Sequence, residues 1–405
     1  MILCVIMRRM SKALTVVFAG GGTGGHIYPG IAVCEELKVL AKKNNTELKI
    51  IWFGNKSGSD KNIVEKSGIK SKSVDAFSGI PSGKLRRYFS VRNFLDIFNV
   101  AAGFFVSFFL LIRLKPALLF SKGGFVSVPP CVAAAALKIK VFTHECDFTP
   151  GLATKINSRF ASGIFVSYDE TKRYFSGKLK EKIGKITVTG NPVRLEFYNA
   201  DAEKGLEFVF GSKDFKKKKP VLLVLGGSSG ARQINLLVKE NLEWLCERFF
   251  VVHQTGLKQE QAEESALQAE KHKGDYFPFA FIYEQMCDVT ACADIVLSRA
   301  GANSIWECSC LGKPLILIPL CGSGTRGDQC DNAKFFEERG AALVLEGENA
   351  VSKNLKACLE KMTDEDFRKK TAESCAELSK GEKSASKIAG LLFNEIINEK
   401  TKRSK

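Results

Sequence analysis

The chain has 405 residues, too many for one ordinary core, and domains of roughly 100–200 residues imply two or three of them. Its 45% hydrophobic and 26% charged residues exclude wholesale disorder and a polytopic membrane protein. The formal charge of +16 is uneven, with 30 Lys and Arg against 12 Asp and Glu up to Arg194 and 30 against 32 beyond it, so the first half expects an anionic partner: nucleic acid, a phosphate-rich ligand or a membrane surface.

The opening MILCVIMRRM places apolar residues before its arginines, the reverse of a secretory signal, and Met7 and Met10 are alternative starts to Met1. Leu14–Ala19 and Leu48–Phe53 read as strands around a helix at Ile31–Lys43. Ile97–Ile112 is uncharged but shorter than the roughly 20 residues a membrane span needs. It reads as a buried core helix, a helix resting in a bilayer interface, or a span. Lys84, Arg86, Arg87 and Arg92, with Tyr88 and Phe89 among them, precede it, and Arg113 and Lys115 follow. Cations mixed with aromatics beside an apolar helix suit an anionic membrane surface.

Strands follow at Ala117–Phe120, Val141–Thr143, Gly163–Val166 and Ile186–Thr189, with a helix at Thr154–Phe160. The second half repeats the scheme at Val221–Leu225, Phe249–Gln254, Phe277–Phe281, Ile295–Ser298, Pro314–Pro319 and Ala342–Leu345. Alternating strand and helix predicts α/β architecture, with parallel sheets covered on both faces, in two blocks meeting near Gly190–Arg194. Lys216–Lys219 reads as a solvated loop, Ala385–Ile397 as an amphipathic helix and Lys400–Lys405 as a frayed tail. The 13 cysteines include no C-x-x-C pair and only four histidines accompany them, so they read as reduced, small hydrophobes rather than metal ligands.

The strongest local signal is Gly20-Gly21-Gly22-Thr23-Gly24-Gly25-His26, between a strand and a helix. Such a turn lets another molecule approach the backbone, and a helix N-terminus offers N–H groups to phosphate. Formally it satisfies G-x-G-x-x-G, but the next strand ends Phe53-Gly54-Asn55 without the acid of a dinucleotide site. His26 then reads as a structural histidine or as a polar group that binds phosphate or moves a proton.

A second turn, Gly226–Gly230, lacks the lysine of a P-loop, yet its serines and N–H groups can cradle a diphosphate. A third, Arg299–Asn303, is followed by Glu307 near the first helical turn, where a carboxylate either accepts ribose hydroxyls or complements the helix dipole. Asp328-Gln329 ends another loop that could read sugar hydroxyls. Ser121–Phe125 reads as a loop after a strand, and His144-Glu145 as a strand-end acid/base candidate or a salt-linked surface pair. The one D-x-D, Asp364-Glu365-Asp366, reads as helix-start acids, so no metal-binding nucleotide-sugar motif is expected.

The segments GGGTGGHIYPG (20–30), FSKGGFVSVP (120–129), HECDFTPGLATK (144–155), GNPVR (190–194), GGSSGAR (226–232), HQTG (253–256), SRAGANSIWE (298–307) and DQCDNA (328–333) resemble, in order and spacing, the MurG family of bacterial N-acetylglucosaminyltransferases. The resemblance covers roughly residues 14–395. It implies a GT-B fold: two Rossmann-like domains with parallel sheets facing a central cleft. The expected domains are 1–190, facing acceptor and membrane, and 191–379, binding the UDP-sugar, with a C-terminal helix at about 380–398 packing back on the first.

The implied reaction moves N-acetylglucosamine from UDP-N-acetylglucosamine to the 4-hydroxyl of undecaprenyl-diphospho-N-acetylmuramoyl-pentapeptide (lipid I), with inversion, giving lipid II for peptidoglycan. No cofactor and no nucleic acid is implied. The expected location is peripheral, at the cytoplasmic face of the bacterial plasma membrane. Motif by motif, Thr23, Gly24, Gly25, Asp147, Arg194, Ser228, Ile282, Ala302, Asn303, Glu307 and Gln329 would contact the donor. Lys84, Arg86, Arg87, Lys122, Gly123 and Gly124 would face acceptor or membrane. His26 and then Glu145 are the candidates for the base. Asp147 stands where some members have Asn, and Lys122 where others have a small residue; Lys122 suits the acceptor diphosphate or is a solvated loop lysine. Another membrane-lipid glycosyltransferase, or a non-catalytic nucleotide-sugar or nucleic-acid binding protein, is the alternative.

Overall fold

The computed structural model describes residues 13–83, 91–175, 186–226, 231–322, 325–381 and 383–404. Met1, Met7, Met10, Lys84, Arg86, Arg87, Tyr88, Phe89 and Ser228 lie outside the described residues. The chain divides into two compact units, Met1–Pro192 with Glu382–Lys405, and Val193–Gly381.

The first unit holds β1 (Leu14–Gly20), β2 (Leu48–Asn55), β3 (Ala76–Ile80), β4 (Leu118–Gly123), β5 (Lys140–Glu145), β6 (Gly163–Val166) and β7 (Ile186–Val188). They form one sheet in the order β3-β2-β1-β4-β5-β6-β7, with every neighbouring pair parallel. The period of two sends Val16, Phe18, Ile50, Trp52, Phe120 and Phe142 to one face, under the Gly24–Lys43 and Ser384–Ser404 helices. Val17, Ala19, Ile51, Phe53, Leu119 and Val141 go to the other, under the Val91–Leu114 and Val128–Ala136 helices.

The second unit holds β8 (Val221–Leu225), β9 (Phe250–Gln254), β10 (Tyr276–Phe279), β11 (Ile295–Ser298), β12 (Leu315–Leu317) and β13 (Ala342–Val344). Their order is β10-β9-β8-β11-β12-β13, again all parallel. Each sheet reverses its winding once, between β1 and β4 and between β8 and β11. At such switch points the strand-end loops diverge and leave room for a ligand.

Several expectations are corrected. β3 was not foreseen: AFSGI is a half-buried edge strand without an apolar run. β4 extends through Ser121-Lys122-Gly123, because Ser121 pairs with Ala19 and Gly20 with Gly123, leaving Lys122 as the extra residue of a bulge. β5 includes His144 and Glu145, so both belong to the buried sheet rather than to a surface loop. The first helix starts at Gly24, not Ile31; its glycines and Pro29 hide the periodicity, and Gly30 leaves room for the Trp52 ring.

The Ile97–Ile112 segment lies in the Val91–Leu114 helix but is not a buried core helix, since only 17% of Asp96–Leu114 is buried. Ser107 and Leu111 face the sheet, whereas Phe98, Phe105 and Phe109 are 61, 57 and 67% exposed. The helix is long and apolar enough to cross a membrane. The tail is not frayed before Ser404, because Glu399 pairs with Lys140 and Lys402 and holds the last turns. Within the 216–219 run, Lys217 and Lys219 are not simply solvated but pair with Asp294 and Asp275. Asp364 does start a helix, its carboxylate accepting the Phe367 N–H.

Candidate active site

In the first unit the two glycine turns of the switch point interlock. Gly22 and Gly124 have φ of +87° and +77°, which disfavour other residues. A Cβ on Gly124 would stand 2.5 Å from the Gly21 carbonyl oxygen and 2.9 Å from the His26 ring. Gly24, Gly25 and the half-buried His26 form the first turn of the helix, with the His26 N–H donating to the Thr23 carbonyl at 3.1 Å. Thr23 is exposed and its hydroxyl does not cap the helix.

Not all the N–H groups of this turn are available to a ligand. The Gly22 N–H donates to Asp60 Oδ2 and Oδ1 at 2.9 and 3.0 Å, and the Asn55 N–H donates to Oδ2 at 2.8 Å. Burial raises the Asp60 carboxyl above its ordinary range, against the lowering by these two N–H groups.

Glu145 does similar work across the sheet. Its Oε1 accepts the Asp147 N–H at 3.1 Å and its Oε2 the Gly151 N–H at 3.0 Å, so both oxygens brace the loop after β5. Burial, then the neighbouring Asp147, raises its pKa. His144 points to the opposite face, where Nε2 meets the Gly190 carbonyl at 3.0 Å. Burial, then Lys122, holds His144 well below its ordinary range, so it is neutral. The salt-linked surface pair therefore does not exist: both side chains are buried and they diverge. Lys122 is likewise no solvated loop residue; it is 1% exposed, and its Nζ has no hydrogen-bond partner among the described residues.

In the second unit the structure brings Arg194 and Glu307 together. Arg194 Nε donates to Glu307 Oε1 at 2.7 Å, and Nη1 reaches Glu196 at 3.0 Å. Their side chains are only 19% and 15% exposed. Glu307 lies in the second turn of the Ala302–Cys310 helix rather than the first, so the dipole contributes little to it. Ala302 and Asn303 form that helix's first turn, at the β8/β11 switch point. The Ile282 N–H donates to the buried Gln254 Oε1 at 2.9 Å, and Gln329 Oε1 accepts the Leu320 N–H at 2.9 Å. Asp147 belongs to the first unit, where its N–H donates to Glu145.

Residues 16–166 match the glycosyltransferase family 28 N-terminal domain and residues 221–388 its C-terminal domain. The chain is 52% identical over 341 residues to the UDP-N-acetylglucosamine–N-acetylmuramyl-(pentapeptide) pyrophosphoryl-undecaprenol N-acetylglucosamine transferase of Treponema denticola, covering 82% of this chain and 84% of that protein. The chain belongs to the MurG family, within glycosyltransferase family 28. A second MurG-type relative, from Bacillus cereus, is 40% identical over 88% of this chain and 94% of its own. The crystal structure of Acinetobacter baumannii MurG shares the fold, with a TM-score of 0.69, 20% identity, and coverage of 94% of this chain and 99% of that one.

Asp60 was not foreseen. Where a dinucleotide site would carry an acid for a ribose, at the end of β2, stands Asn55. The acid lies five residues on and accepts the protein's own N–H groups instead. A lone aspartate after Ser-Gly-Ser, just beyond an apolar strand, was the available signal.

Proposed function

We propose that the chain transfers N-acetylglucosamine from UDP-N-acetylglucosamine to the muramoyl 4-hydroxyl of lipid I, inverting the anomeric centre and giving lipid II. The observation that carries this is the 52% identity, over 82% of the chain, to a protein named for that reaction. In the reaction O4 attacks the anomeric carbon, the bond from that carbon to the UDP oxygen breaks, and the hydroxyl proton passes to a base. Both oxygens of Glu145 are spent on backbone N–H groups, which favours His26 as the base and Glu145 as a positioning residue.

In the second unit Arg194 would hold the departing diphosphate, with Ser228 beside it. An arriving diphosphate competes with Glu307 for the guanidinium, and Glu307 is then released to accept ribose hydroxyls. Ile282 and Ala302 would border uracil, and Asn303 and Gln329 would face the sugar side. Thr23, Gly24, Gly25 and Asp147 would meet donor groups from the first unit, and Gly123 and Gly124 the acceptor. Mixing the protein with UDP-N-acetylglucosamine and a soluble lipid I analogue should release UDP and yield a β-linked disaccharide. Release only from UDP-galactose with diacylglycerol would assign it to another lipid glycosyltransferase.

The exposed phenylalanine stripe of the Val91–Leu114 helix, next to Lys84, Arg86 and Arg87 in sequence, supports peripheral binding to the anionic cytoplasmic leaflet rather than to nucleic acid. Replacing Phe105 and Phe109 by Ser removes about 1.5–3 kcal/mol of apolar burial each, so liposome binding should fall at least tenfold while the fold is unchanged. Unchanged binding of this double variant in a flotation assay would remove the helix from the membrane contact.

A further inference from the structure

Cys321 and Cys330 differ from most of the other cysteines in exposure and in company. Most described cysteines are buried, whereas these two are half-buried and touch each other, with Cys330 in the first turn of the Asp328–Glu338 helix. Their Sγ atoms stand 2.7 Å apart. Two thiolates on one tetrahedral zinc, each at about 2.3 Å, would stand about 3.7 Å apart, so the spacing falls nearer a bond of about 2.05 Å than a metal site. Gly322 and Gly327 have φ of +117° and +76°, with open space where a Cβ would be.

We propose that Cys321 and Cys330 are a redox modification site, a dithiol that a low-molecular-weight disulfide of the glutathione class converts to an intramolecular disulfide closing residues 321–330. One thiolate attacks the reagent's S–S bond and releases the first reagent thiol. The second cysteine attacks the resulting mixed disulfide and releases the other. Two protein S–H bonds are lost and one S–S bond forms; the reagent takes up the two electrons and two protons and becomes two thiols. Burial, then Cys321 and Glu346, push the Cys330 thiol up, so the exchange accelerates as pH rises. The closed ring contains Gln329, whose amide already folds back onto the Leu320 N–H. Closing it holds that amide away from a sugar.

The test incubates the full chain with oxidised glutathione, alkylates the remaining thiols and maps disulfides by mass spectrometry. The Cys321–Cys330 cross-link should form before any other, while the half-buried Cys310 and Cys358 stay alkylatable or carry single glutathiones. Cys321→Ser and Cys330→Ser should each halt at a stable mixed disulfide on the remaining thiol. Persistent glutathione adducts on both cysteines of the unaltered chain would overturn the proposal. So would protection of both thiols by equimolar zinc chloride with no cross-link. A second readout rests on the proposed sugar contact of Gln329: oxidation should raise the donor KM on the order of 5-fold, reversed by dithiothreitol. A cross-link with unchanged KM upholds the modification site and removes Gln329 from donor binding.

Discussion

The two units present loops at the carboxyl ends of the same kind of parallel sheet but brace them with different chemistry. In the first unit the braces are buried carboxylates: Asp60 holds Gly22 and Asn55, and Glu145 holds Asp147 and Gly151. In the second the N–H groups are held by neutral amides, Gln254 on Ile282 and Gln329 on Leu320; Arg299 holds the Ile318 and Pro319 carbonyls, and the Glu307 carboxylate is matched by Arg194. A carboxylate spent on backbone N–H groups removes anion-binding capacity from its edge; an amide leaves the charge of the edge to its arginine. Edges alike in topology therefore differ in what they can hold. The first is a glycine-lined wall carrying a histidine, and the second carries an arginine–glutamate ion pair.

The largest effect expected from breaking this contrast is at Asp60. Asp60→Ala leaves the Gly22 and Asn55 N–H groups without an acceptor, at a cost of about 3 kcal/mol, and Asp60→Asn restores part of it. Urea unfolding checks this, and an unchanged midpoint for Asp60→Ala would show that the turn needs no brace. Next comes Arg194→Ala, which should weaken UDP binding by about 2 kcal/mol, a roughly 30-fold rise in Kd by calorimetry. An unchanged Kd would mean that the ion pair is structural only.

The effect that is smallest at neutral pH is pH-dependent. Burial pushes His253 from 6.5 down to about 3, with Tyr276 Oη and Asn235 Oδ1 on its ring nitrogens at 3.0 and 3.2 Å. The unfolded chain takes up a proton below about 6.5 and the folded one does not until about 3. Stability is therefore lost as pH falls through that window, by up to about 1.4 kcal/mol per pH unit. His253→Gln should flatten thermal melts between pH 6 and 4; an unchanged slope would place the acid sensitivity elsewhere.

The alternation of strands and helices was legible because buried parallel strands such as Val221–Leu225 are continuous apolar runs, this one preceded by a lysine run with Pro220 and followed by a glycine turn. What escaped was polar or short. β3 has no such run, and Lys122, His144 and Glu145 look like loop residues although the sheet buries them. The site motifs were legible as a list, but their pairing was not. Nothing in the spacing of Arg194 and Glu307 announces an ion pair, and Asp60 reaches Gly22 across 38 residues. The Val91–Leu114 helix shows the reverse failure: apolar composition cannot tell a covered face from a bare one.

The most direct measurement is steady-state kinetics with both substrates varied, for His26→Ala and Glu307→Ala side by side. His26→Ala should lower kcat by about 10²–10⁴ with the donor KM nearly unchanged, and Glu307→Ala should raise the donor KM about tenfold or more with a smaller loss of kcat. Near-normal kcat for His26→Ala, or an unaltered donor KM for Glu307→Ala, would contradict the division of proton transfer and donor binding between the two units.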